Sequence, residues 1–319
     1  MKSGIAVAGT MLVDEINEIS AYPKSGELTK IIKVGKSVGG CVPNVSVALK
    51  RIRPDYTIKV LGRIGKDDKG EYLKNVFTAN GVDYSNVVVG DKPTSFTQVI
   101  SVTGGERTFF TYAGANDDFS ASDVDAENLN VKMFHLGYLL LIEKIDNGES
   151  VELLKAVKNA GIKTSIDLCT ENSDRYSLVL PCLPYVDNII INEIEAGSIA
   201  GIEPNENNLI DIAKKIKELG VSERVIIHSP KQAVCVSNDG VTQLASFEFP
   251  SELIVGTTGA GDAFCAGALI AIYQEKTDLE ILEFAQSSAV CSLTAVDATS
   301  GVRQEAEIIE FCKDLKRRK

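Results

Sequence analysis

Tryptophan is absent from the 319 residues, and histidine occurs only twice, at His135 and His228, far apart in the chain. Neither position lies in a metal-finger spacing, so a structural zinc site is not expected. The seven cysteines, Cys41, Cys169, Cys182, Cys235, Cys265, Cys291 and Cys312, form no C-x-x-C pair and are odd in number. That excludes a disulfide framework as the basis of the fold. They read as small buried hydrophobes in a reducing compartment, and a cytoplasmic location is expected. No run approaches the ~20 apolar residues of a membrane helix. Lys2 followed by Ile5 to Val13 faintly imitates a signal peptide, but Asp14 and Glu15 follow at once, and the run reads as a first buried strand.

Positive charge is scarce as well: 33 Lys and Arg stand against 44 Asp and Glu, for a formal charge of -11. Nucleic acid is therefore excluded as a partner, because such affinity is built from clustered cations. The one concentrated basic run, Lys313 to Lys319, is expected to complete the last turn of a C-terminal helix. A phosphate-bearing ligand would have to be met by backbone amides and a metal ion instead. No linker rich in Pro, Gly or Ser and no internal repeat divides the chain, so one domain over residues 1–319 is expected. Neither a G-x-G-x-x-G after a strand nor a G-x-x-x-x-G-K-[ST] loop occurs, which argues against a nicotinamide dehydrogenase and a P-loop enzyme.

What the chain does contain is an α/β rhythm. Ile5 to Gly9 is a continuous apolar run of the kind buried on both faces of a sheet. Gly39-Gly40 opens a helical segment over Asn44 to Arg51; Tyr56 to Leu61 reads as a strand and Glu71 to Asn80 as a helix stopped by Gly81. From Met133 onward strand and helix alternate: Met133 to Leu140, Glu149 to Ala160, Thr164 to Leu168, Val186 to Ile191, Asn207 to Leu219 and Arg224 to Ile227. This predicts a mostly parallel sheet with helices on both faces. Val234 to Ser237 and Val241 to Phe249 form a hairpin pattern, followed by helices over Asp262 to Tyr273, Asp278 to Ala295 and Gln304 to Lys316. Ser95 to Val102 and Arg107 to Tyr112, around Gly104-Gly105, interrupt the rhythm with a second hairpin. Residues 15–36 and 94–112 are expected to form a small β lid.

Three sites on this frame carry chemistry. In Gly256-Thr257-Thr258-Gly259-Ala260-Gly261-Asp262, a strand-like stretch leads through glycines into a helix, so that bare N–H groups at the helix N-terminus can hold an anion. Asp262, in the first turn, is expected to be kept ionised by the helix dipole and to orient an acceptor hydroxyl. Gly39-Gly40-Cys41-Val42-Pro43-Asn44 again places paired glycines before a helix, and Asp14 follows the first strand; carboxylate and amide groups suit the hydroxyls of a polyol. Asn192-Glu193-Ile194-Glu195 begins where the apolar strand Ile189 to Ile191 ends, and its hard oxygens suit a hydrated Mg²⁺ carrying ATP phosphates. Each motif alone is also an ordinary capped or glycine-initiated helix.

Taken together and in this order, they resemble the ribokinase-like sugar kinases of the pfkB family across nearly the whole chain. T-G-A-G-D at 258 to 262, with Ala263-Phe264 and Gly267 behind it, is the most specific element. The resemblance implies a ribokinase-like three-layer α/β sandwich with a β lid, and ATP-dependent phosphorylation of a hydroxyl on a small sugar or polyol. By position it makes Asp262 the catalytic base and Gly259, Ala260 and Gly261 the anion hole. Asp14, Gly39, Gly40 and Asn44 become substrate ligands, with Arg107 on the lid hairpin as a further contact. Asn192, Thr258, Gly259, Gly261 and Ser229 fall to ATP, and Asn192 with Glu195 to Mg²⁺ through water. It also implies a homodimer paired through the lid strands.

The sequence departs from that family in two places. Gly256 stands where an Asp usually helps build a monovalent-cation site, which argues against potassium activation. His228-Ser229-Pro230-Lys231-Gln232-Ala233 replaces a glycine-rich phosphate loop, and Pro230 removes one N–H, leaving Ser229 and Lys231 to contact phosphate. Two other readings stay open. One is a nucleoside kinase of the same family, with Phe96, Phe109, Phe110 or Tyr112 around a base; the other is a non-catalytic ligand-binding relative.

Overall fold

The computed structural model describes residues 2–102, 107–170 and 174–318. Strand β1 (Ile5–Gly9) is buried at every residue. Its side chains alternate between two separate cores: Ile5 and Val7 enter one, Ala6 and Ala8 the other. That alternation is what a strand with both faces covered requires.

Among the described residues the strands form one nine-stranded and one four-stranded sheet. In chain order they are β1, β2 (Leu12–Ile19), β3 (Ile31–Gly39), β4 (Ile58–Ile64), β5 (Asp83–Val89), β6 (Phe96–Val102) and β7 (Arg107–Tyr112). Then follow β8 (Met133–Leu139), β9 (Lys163–Leu168), β10 (Asn188–Asn192), β11 (Arg224–His228), β12 (Gln232–Ser237) and β13 (Gly240–Ala245). The large sheet runs β13-β12-β11-β10-β9-β8-β1-β4-β5. It is parallel from β11 to β5, and the β12–β13 hairpin closes one edge antiparallel.

Helices α1 (Cys41–Ile52), α2 (Asp68–Ala79), α6 (Ala260–Tyr273), α7 (Asp278–Ser292) and α8 (Glu305–Cys312) pack on one face. On the other lie α3 (Ser150–Asn159), α4 (Glu193–Ala200) and α5 (Leu209–Glu218). The result is the three-layer sandwich that the alternation predicts. Because the sheet is parallel, the chain leaves every strand from β1 through β10 in the large sheet at the same edge, and ligand-binding side chains collect there.

The small sheet has the order β3-β2-β6-β7, with only β2 and β6 parallel. Directly opposed residues share a face. One face therefore carries Asp14, Thr97 and Thr111, then Ile16, Val99 and Phe109, then Ser101 and Arg107. The opposite face is anchored to α2, where Lys69 pairs with Glu15 at 2.9 Å and sits 4.7 Å over the Phe96 ring. The expected turn at Gly104-Gly105 lies outside the described residues.

One expectation fails at the C-terminus. Helix α8 ends at Cys312, so the basic run does not complete it. The chain instead returns along residues 246–248: Glu248 N–H donates to Lys316 O at 2.8 Å, and Arg318 N–H to Ser246 O at 2.9 Å. Arg317 lies 4.2 Å over the Phe247 ring and donates to Ala245 O at 2.7 Å. Otherwise unpaired backbone groups beyond β13 outweigh the dipole of a short helix.

Candidate active site

Helix α6 starts in a way only glycine permits. Gly259 has φ +79°, and a Cβ there would lie 2.3 Å from Ala298 Cβ. No side chain caps this helix; the Ala260 N–H lies 3.3 Å from Thr257 O, and the helix N-terminus otherwise stays open to an anion. Asp262 sits in that first turn, only 5% exposed. Asn44 Nδ2 donates to its Oδ2 at 2.9 Å, and the Tyr138 hydroxyl reaches Oδ1 and Oδ2 at 2.9 and 3.1 Å.

This environment corrects the expected charge state of Asp262. Burial, reinforced by the charge of Asp167, pushes its pKa up to about 7, although the Tyr138 and Asn44 hydrogen bonds act the other way. Loss of water is the largest of these effects.

The Gly-Gly segment is brought to the same place. Gly40 has φ +84°, and a Cβ there would meet Thr10 O at 2.6 Å; one on Gly39 would lie 2.6 Å from Asp14 Oδ2. Both glycines are therefore dictated by close approach, and Gly39, five residues before Asn44, lets Asp14 lie against the entry to α1. The Oδ1 of Asn44 is buried without a partner among the described residues. Asp14 is pushed up to about 6 by burial, moderated by the charge of Arg107. Arg107 Nη1 donates to Thr258 Oγ1 at 2.8 Å, tying the small sheet to the segment that starts α6.

At the end of β10, Asn192 and Glu195 form a capping box. Asn192 Oδ1 accepts from the Ile194 and Glu195 N–H groups, and Glu195 Oε2 from Asn192 N–H. Thr170 completes the set by donating to Glu195 Oε1 at 2.8 Å and accepting from Asn192 Nδ2 at 2.8 Å. Burial pushes Glu195 up to about 7, with the Thr170 hydrogen bond opposing it. Asn192, Glu195, Gly259, Gly261, Asp262, Tyr138 and Asp167 line one cavity of about 260 Å³. A second cavity of about 480 Å³ shares Asn192, His228 and Gly261 with it and is walled by Phe249, Ile254, Phe264, Val290 and Leu293. The two therefore meet at the α6 N-terminus.

The replaced loop is self-contained. Ser229 Oγ donates to Gln232 O and accepts from the Lys231 and Gln232 N–H groups. Lys231 pairs with Glu206. Burial lowers His228 to about 4, so it brings no positive charge. Four residues near the centre went unmarked in the sequence: Tyr138, Asp167, Thr170 and His135. Tyr138, Asp167 and Thr170 cluster where β8 and β9 end, at the same sheet edge that singled out Asn192, and that rule could have found them.

A family model described as pfkB family carbohydrate kinase matches residues 5–305. Among curated proteins, the chain is 26% identical over 313 residues to a ribokinase of Haemophilus influenzae, covering 98% of this chain and 99% of that one. It is 28% identical over 267 residues to adenosine kinase 1 of Arabidopsis thaliana, covering 77% and 75% respectively. Its fold matches Arabidopsis thaliana ribokinase complexed with ribose and ATP at TM-score 0.83, with 23% identity and 98% and 99% coverage. The ordered set of motifs, the sandwich that assembles them and the match over residues 5–305 agree: the chain belongs to the pfkB family of carbohydrate kinases.

Proposed function

We propose that this chain transfers the γ-phosphoryl group of ATP to a hydroxyl of a sugar or sugar-like molecule. One observation carries the reading: Asp262 lies in the first turn of an uncapped helix, bonded to Asn44 of the Gly-Gly segment, where the two cavities meet. With a pKa near 7, Asp262 holds its proton loosely enough to act as a base at neutral pH. The acceptor hydroxyls are held by Asp14 and by the free Oδ1 of Asn44. The amides of Gly259, Ala260 and Gly261 balance charge on the phosphoryl group in transit. The apolar cavity takes the adenine, in line with the relative complexed with ribose and ATP. The small sheet acts as a lid through the Arg107 contact to Thr258.

Mg²⁺ fits the donor set of the smaller cavity. Glu195 supplies hard oxygens there, and each of them uses one lone pair internally, leaving contact through water open. When bound, the ion would neutralise phosphate charge. Around it, Asn192 and Thr170 keep the Glu195 carboxylate fixed.

The nucleoside reading narrows to one aromatic. Of Phe96, Phe109, Phe110 and Tyr112, Phe109 alone shares the Asp14 and Arg107 face; it is 60% exposed. On the far face Phe96 lies under Lys69, while Phe110 and Tyr112 are exposed with Val34, and this apolar strip suits pairing with a second copy of the chain. A cytoplasmic location accords with the unbridged, buried thiols of Cys41, Cys182, Cys235, Cys265, Cys291 and Cys312.

The test is ADP release with Mg-ATP against a panel of sugars, sugar phosphates, polyols and nucleosides, run beside Asp262→Asn. At least one acceptor should stimulate turnover that the variant lacks. No stimulation above the variant's level would leave the non-catalytic ligand-binding reading in its place.

A further inference from the structure

Beneath Asp262, folding assembles a set of soft and borderline donors from four separate segments. Cys41 opens α1, His135 lies on β8, Asp167 on β9 and Cys265 on α6. Ligand atoms of Cys41, His135 and Asp167 all lie within 4.8 Å of one another. His135 Nε2 is 3.2 Å from Asp167 Oδ2 and 3.5 Å from Cys265 Sγ. All four side chains are buried.

Three details distinguish this cluster from thiols that merely fill space. His135 Nδ1 lies 2.9 Å from Ser165 Oγ, which fixes the ring so that Nε2 faces the thiols and the carboxylate; metal-bound imidazoles are oriented by such partners. Asp167 divides its work, since Oδ1 accepts the Tyr138 N–H at 2.6 Å while Oδ2 points to His135. The space for the Cys41 sulfur exists because residue 137 is glycine: a Cβ there would lie 1.7 Å from Sγ. Asp167 and Cys265 also line the 260 Å³ cavity, which gives an ion a way in.

We propose that Cys41, His135 and Asp167, with Cys265 beside them, form a binding site for one soft or borderline divalent ion of the zinc type, separate from the Mg²⁺ that accompanies ATP. Sulfur and imidazole donors select zinc over magnesium. Binding replaces the proton of the Cys41 thiol with the ion and releases that proton to solvent. Burial and the neighbouring carboxylates hold the Cys41 pKa well above the ordinary range, and a divalent charge reverses that bias.

Cobalt(II) tests the site without any assay of phosphoryl transfer, so this inference and the kinase reading can fail separately. The full chain, stripped of metal and kept reduced with a phosphine, is titrated with Co²⁺. A thiolate-to-cobalt charge-transfer band should saturate at one equivalent, vanish on adding Zn²⁺ and persist in excess Mg²⁺. Cys41→Ser should remove the band and Cys182→Ser should keep it, while Ser165→Ala should weaken Co²⁺ affinity about tenfold or more. Should Cys41→Ser fail to fold by circular dichroism, His135→Gln takes its place. Absence of a stoichiometric band, or a band unchanged in the folded Cys41 or His135 variant, overturns the proposal.

Discussion

Tyr138 donates its hydroxyl to both carboxylate oxygens of Asp262, from a backbone held in the left-handed region at φ +55°. Such a conformation costs about 1–3 kcal/mol in a residue with a side chain, and is kept where the surroundings demand it. Here the Tyr138 N–H is fixed by Asp167 Oδ1, which aims the ring at Asp262. The hydroxyl favours the ionised carboxylate. On the proposed mechanism kcat/KM should rise through about pH 7 as Asp262 loses its proton. In Tyr138→Phe that limb should move to higher pH by about one unit, a tenfold loss on the acidic side. An unshifted limb with a uniform loss of rate would mean that Tyr138 serves only packing.

Burial of Asp262 also has a consequence for stability. An acid whose pKa is raised by folding holds its proton more tightly in the folded chain. Its contribution to stability is full below the ordinary value of 3.8 and is lost as pH rises to about 7, leaving a constant penalty above. Asp262→Asn should therefore be more stable than the parent at pH 8, by roughly 1–3 kcal/mol, and should lose that advantage near pH 4. Thermal melts at the two pH values, without ligand, decide the matter. A variant less stable at pH 8 would show that hydrogen bonding, not desolvation, dominates at this carboxylate.

The glycine motifs and the strand–helix alternation were legible in the sequence because close backbone approach and periodicity leave local marks. Gly259 and Gly40 sit at positive φ, and each would clash if given a side chain. β5 left no such mark: it pairs with β4 alone, its residues Asp83 to Asn86 are polar, and none is fully buried. The 3₁₀ stretch Arg175–Tyr185, containing Pro181 and Pro184, carries no helical period either. The charge state of Asp262 was beyond local reading, since it depends on burial and on Asp167, 95 residues away in sequence. The Cys41, His135, Asp167 and Cys265 cluster is the extreme case, for its members share no spacing at all.

Arg107 ties the small sheet to the segment before α6 through one hydrogen bond to Thr258 and faces Asp14 electrostatically. Arg107→Ala should loosen lid closure over the acceptor and remove the charge that favours ionised Asp14. KM for the acceptor should rise about tenfold, as expected for loss of one charged hydrogen bond, with a smaller change in kcat. Steady-state kinetics with the best acceptor from the panel will separate the two. A fall in kcat at constant KM would instead assign Arg107 to the transferring phosphoryl group.

Gly256 makes the sharpest claim about cations. It has no side-chain oxygen, and its position leaves no room for one: a Cβ would approach Ala295 O to 2.7 Å. The nearby Leu293 carbonyl is already taken by the N–H groups of Val255 and Gly256, at 2.8 and 3.3 Å. A monovalent ion behind the anion hole would thus lack both the carboxylate and this carbonyl. Turnover in potassium and in sodium at matched ionic strength should agree, because screening is then the same and no selective site remains. A large potassium-specific gain would show that other backbone carbonyls assemble the site once ATP is bound.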